Sequence, residues 1–120
     1  MEDIIEMILK NPSIIVGANI PKPQGHECTI LYIHENNENH FLKYSTGNSG
    51  KPISKAEFRG AYQRLLDNNS FTRQWYNENF PQKAASYPCN FTSIGGIFLM
   101  LNIVEFIGNG CYQLIQPQNN

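Results

Sequence analysis

The apolar residues of this chain change period from one stretch to the next, and each change marks an element. Ile4, Ile5, Ile8 and Leu9 recur at near-helical spacing behind an acidic start, with Lys10 placed to favour the helix dipole, which predicts a short helix. Asn11-Pro12 ends it, because proline lacks an amide donor and disfavours helical backbone in the residue before it. Ile14-Ile15-Val16 is short and β-branched and reads as a strand, and Pro21 to Gly25 reads as a loop. Cys28–His34 and His40–Tyr44 are rich in strand formers and read as a hairpin around the Asn- and Glu-rich turn at 35–39. The first of these strands is apolar on both faces, so cover is expected on both sides.

From residue 54 the pattern becomes helical. Ser54-Lys55-Ala56-Glu57 is a capping box, in which serine and glutamate each satisfy an orphan amide. Phe58, Ala61, Tyr62 and Leu65 form one apolar stripe behind it, and Asp67 to Ser70 closes that helix. A second helix, capped by Ser70 or Thr72, turns Phe71, Trp75 and Asn79-Phe80 inward and stops at Pro81. A polar loop follows, and Asn90 caps a third helix that reads Phe91 to Ile103. Gly95-Gly96 costs that helix roughly 2 kcal/mol relative to alanine, which points to a strand or another backbone approaching closely there. Val104–Ile107 and Cys111–Ile115 form a final hairpin around Gly108-Asn109-Gly110, and Gln116–Asn120 reads as a frayed tail.

Three helices followed directly by a glycine-tipped hairpin, across residues 54–115, resemble the winged-helix variant of helix-turn-helix. The resemblance rests on element order and implies that two helices pack beneath the third, with the hairpin as the wing. The expected fold class is therefore α+β in a single domain spanning 1–120: a winged-helix-like three-helix unit with its C-terminal hairpin, preceded by a helix and a hairpin. The stretch from Pro81 to Cys89 is longer than a helix-turn-helix turn, which departs from the family's docking geometry.

Composition narrows the function. One core suits 120 residues, and no apolar run approaches the roughly 20 residues that span a bilayer. Met1-Glu2-Asp3 is acidic where a signal peptide is basic, and three cysteines at irregular spacing give no disulfide framework, so a cytoplasmic protein with reduced thiols is expected. The net charge of −1 hides an asymmetry: residues 1–38 carry two lysines against six acids, while 39–83 carry seven cations against three acids. A basic middle can steer a polyanion.

Catalytic and metal chemistry find little support. Ser45 to Lys51 falls short of a phosphate-binding loop, since Ser45 replaces the first glycine and Pro52 the magnesium-binding hydroxyl, and it reads as a flexible loop. His26, Cys28, His34, His40, Cys89 and Cys111 lack a paired-ligand clip for zinc. Cys28 beside His26 has no helix end to activate it, and Cys89 has no visible base. No cofactor is expected, and the chain is read as binding in preference to catalysing. The third helix has no Arg or Lys, so its Leu99, Met100 and Ile103 are the candidate contacts for a protein partner or a second copy of the chain. The first expectation is thus a non-catalytic module acting through protein contacts or self-association. The alternative is a nucleic-acid-binding regulator using 43–83, with Lys51, Lys55, Arg59 and Arg73 as phosphate contacts. A third is a small-molecule-binding or catalytic domain.

Overall fold

The computed structural model describes residues 3–23, 26–47 and 49–115, so the tail at 116–120 lies outside the described residues. The chain is α+β, with five helices and two small antiparallel sheets among those residues. Helix α1 (Ile4–Lys10) forms as its periodicity demands, capped by Asp3 and ended at Asn11. Strands β1 (Asn19–Ile20), β2 (Cys28–Ile33), β3 (Leu42–Thr46) and β4 (Ser49–Ile53) follow and pair in that order.

Three expectations for this half fail. Ile14–Val16 is not a strand: Ile14 is buried, Ile15 and Val16 are exposed, and Gly17 with φ +92° interrupts the extended backbone before β1. Ser45–Lys51 is not a flexible loop but the β3–β4 hairpin, turning at Gly47 with φ +69°. Its small polar side chains mask a ladder that main-chain groups alone can build, and Pro52 is tolerated because β4 lies at the sheet edge. Nor is β2 covered on both faces: a bulge between Ile30 and Tyr32 turns Tyr32, 55% exposed, to the side opposite the buried Cys28 and Ile30.

The second half runs α2 (Lys55–Asn68), β5 (Ser70–Thr72), α3 (Arg73–Asn79), α4 (Pro81–Ser86), α5 (Asn90–Met100), β6 (Val104–Gly108) and β7 (Cys111–Leu114). The capping box is present, and Asn69 closes α2 in left-handed backbone at φ 64°. Thr72 caps α3 through the Trp75 amide. The final hairpin turns as its glycines require, and β5 joins it in a sheet ordered β5-β7-β6. The segment after Pro81 is not a polar loop. Proline occupies the first position of α4, where its missing donor costs nothing, so four helices lie between residues 55 and 100. Asn90 is the first residue of α5 and not its cap, which is Cys89.

Helix α5 runs between the two sheets, and its paired glycines make that possible. A Cβ on Gly95 would stand 2.2 Å from the Tyr112 ring of β7, and one on Gly96 would stand 2.5 Å from the Pro21 carbonyl oxygen beside β1. Phe58, Phe71, Phe91, Phe98 and Tyr112 fill the space around it, with the Phe71 and Phe91 rings 4.8 Å apart. Alanine at 96 would gain helix propensity of about 1 kcal/mol but meet backbone. Overpacking of that kind costs about 1–3 kcal/mol, so Gly96→Ala is expected to lower the denaturation midpoint. A raised midpoint would show that β1 can move away.

Candidate functional site

The amino end of α5 is fixed by a buried polar hub. Glu57, the third residue of α2, is fully buried, and its two carboxyl oxygens accept from four donors. Oε2 takes the Ser54 amide and hydroxyl, both at 2.8 Å, while Oε1 takes the Tyr76 hydroxyl at 2.5 Å and Asn90 Nδ2 at 3.1 Å. Asn90 Nδ2 also donates to the Pro52 carbonyl, and Asn90 Oδ1 accepts from the Tyr44 hydroxyl at 2.5 Å. Strand β3, the end of β4, α2, α3 and α5 therefore meet at one satisfied network. Burial raises the Tyr44 and Tyr76 phenols well above their usual range, and for Tyr76 the bond to Glu57 adds to it. Both stay protonated, as donors must.

Three cations from three elements gather around the end that this hub holds. Lys22 Nζ, from the loop after β1, donates to Thr92 Oγ1 at 2.8 Å and Ser93 Oγ at 2.9 Å. Arg73, the first residue of α3, donates to the Pro88 carbonyl at 2.6 Å and lies 4.7 Å over the Phe91 ring. Lys51 of β4 lies 5.7 Å over the Tyr87 ring. All three are half-buried, and among the described residues none pairs with a carboxylate. Residues 79–104 contain no Asp or Glu, and the carboxylate that the fold brings to this end is Glu57, buried in the hub and 3.1 Å from Asn90 Nδ2. Burial pulls the Lys22 ammonium below its ordinary value, and the neighbouring Cys28 and Cys89 thiols offset only part of that.

Of the basic residues expected from sequence, Lys51 and Arg73 belong to this collar and Lys55 and Arg59 do not. Lys55 pairs with Glu38 at 3.5 Å, and Arg59 with Asp3 at 3.0 Å, where each partner strengthens the other's charge. Leu99, Met100 and Ile103 are half-buried against the core, so each keeps only part of its surface for a partner. Sequence reasoning misses Lys22, since nothing local relates it to hydroxyls seventy residues away. Tyr76 carries a signal, however: it precedes Phe80 by one helical turn, and their rings stack at 5.7 Å.

A half-buried lysine beside a serine hydroxyl is the pairing of Ser–Lys nucleophiles. Here Ser93 is fully buried and its hydroxyl donates to the Cys89 carbonyl, so no substrate can reach it. Among the described residues no group of three His, Cys, Asp or Glu side chains could hold a metal ion. No family model, curated protein or solved structure matches the chain.

Ser54→Ala is expected to cost about 1 kcal/mol through loss of the cap. Glu57→Gln should cost more, about 3 kcal/mol, because an amide nitrogen would face donors buried without another acceptor. Equal midpoint shifts would mean the cap alone matters. Tyr112 offers a control: its hydroxyl is buried without a partner, so Tyr112→Phe should leave stability unchanged or raised, whereas Tyr76→Phe should lower it. The Tyr112 phenol is pushed up to about 12, chiefly by burial, and all three buried tyrosines hold their protons more tightly folded than unfolded. Their contribution is complete below about pH 10, the unfolded value, and is lost as the pH rises above it. Urea midpoints should fall steeply there, and a flat profile would contradict the burial.

Proposed function

We propose that this protein is a non-catalytic nucleic-acid-binding module that engages phosphates at the amino end of α5. The observation that carries this reading is the convergence of Lys22, Lys51 and Arg73, none paired with a carboxylate among the described residues, on segment 87–93, which has no acid of its own. Cations left unpaired at a site where the chain has acids to spare elsewhere favour an anion from outside. The contacts are to phosphate, so binding is sequence-tolerant and salt-dependent. The apolar α5 does not read bases; it serves as the platform on which the cations are mounted.

The winged-helix resemblance is part of this proposal and rests on the order of helices followed by a hairpin, with α4 as an addition. No helix among the described residues is long and apolar enough to cross a membrane. Three cysteines without disulfides support a reducing, cytoplasmic setting. Self-association through Leu99, Met100 and Ile103, which keep part of their apolar surface exposed, is a second reading. Sedimentation showing only monomer at high concentration would remove it.

Fluorescence anisotropy with a labelled DNA duplex tests the main proposal. Three phosphate contacts predict a log–log salt slope of roughly −3, and Lys22→Gln, Lys51→Gln and Arg73→Gln should each reduce its magnitude by about 1. Lys55→Gln and Arg59→Gln, whose cations are already paired, should change it little. Binding that ignores salt, or equal effects from all five variants, would overturn the collar as the site.

A further inference from the structure

The outer face of the four-stranded sheet carries an aromatic surface that the fold does not use. Tyr32 is 55% exposed on β2, and the His34 ring stacks against it with centroids 5.4 Å apart and planes 17° from parallel. Residues two apart on a strand share a face, so the pair is ordered before any ligand arrives. Lys43 stands opposite Tyr32 on β3, so the two residues share a face of the sheet. On β4 the same face carries Gly50, where a Cβ would come within 3.3 Å of Leu31 and 4.0 Å of the Lys43 stem, so glycine keeps the surface beside the lysine low. A flat exposed ring on the same face as a cation suits a planar base joined to a phosphate.

We propose that Tyr32, backed by His34 and flanked by Lys43, is a stacking platform for a base of single-stranded nucleic acid. This rests on the nucleic-acid reading above and narrows it, because a base inside a duplex has no free face to offer. Every base has a π-face, so the platform is tolerant of sequence. Tyr32 supplies the ring, His34 orients it, and Lys43 holds the neighbouring phosphate.

The test uses the full chain and three fluorescein-labelled DNAs of equal length: an oligothymidylate, the same strand with every base removed, and a duplex. One stacked base should make the oligothymidylate bind roughly ten-fold tighter than the base-free strand. Tyr32→Ala should erase that difference without weakening the base-free strand, and Tyr32→Phe should preserve it. Tyr32 is exposed, so neither substitution disturbs the core. Equal affinity for the base-free strand, a duplex that binds as tightly as the oligothymidylate, or an unchanged difference in Tyr32→Ala overturns the platform while the phosphate collar stands. Failure of all three DNAs to bind overturns both.

Discussion

The fold depends on the disposal of one buried carboxyl group. Glu57 enters the interior as the third residue of α2 because the capping box turns it back toward Ser54, and its second oxygen must then find donors away from water. Tyr76 and Asn90 supply them, and Asn90 in turn accepts from Tyr44. A partly satisfied network of this kind would be worse than an apolar core, since each orphaned donor or acceptor costs about 1–3 kcal/mol. Completing it requires α2, α3, α5 and the edge of the first sheet to hold one arrangement. The aromatic cluster provides cohesion without direction; the hub provides direction.

The cationic collar follows from that arrangement. Helix α5 has no basic residue of its own, and its paired glycines let β1 and β7 close on it from two sides. The loop that leaves β1 brings Lys22 to the Thr92 and Ser93 hydroxyls, while the hub brings β4 and α3 to the same end, and with them Lys51 and Arg73. Two acids of the first 38 residues lie away from this end, where Asp3 and Glu38 hold Arg59 and Lys55. Within the basic middle the fold thus separates Lys55 and Arg59, which meet acids, from Lys51 and Arg73, which join Lys22 at the collar.

The chain announces its helices through periodicity and caps, and its hairpins through turn residues, because those signals are local. The capping box, the left-handed Asn69, the close approach at Gly95-Gly96 and the Gly108–Gly110 turn are all of this kind. What stays silent is whatever depends on distant partners. The β3–β4 hairpin has the composition of a loop, since its ladder is main-chain, and α4 hides behind a proline that marks a start as readily as a stop. Asn90 looks like a cap because asparagine caps helices, yet its side chain turns inward to groups more than thirty residues away. Part of the collar is legible as charge, while its membership is settled only by which cations find acids.

The most direct test of the hub is a double-mutant cycle between Tyr44→Phe and Tyr76→Phe, two hydroxyls that share no bond and meet only through Asn90 and Glu57. If the network acts as a unit, the two stability losses are non-additive by at least about 0.5 kcal/mol. Losses that add to within about 0.3 kcal/mol would mean separate local contacts, and would contradict the claim that one buried carboxyl group sets the positions of the surrounding elements.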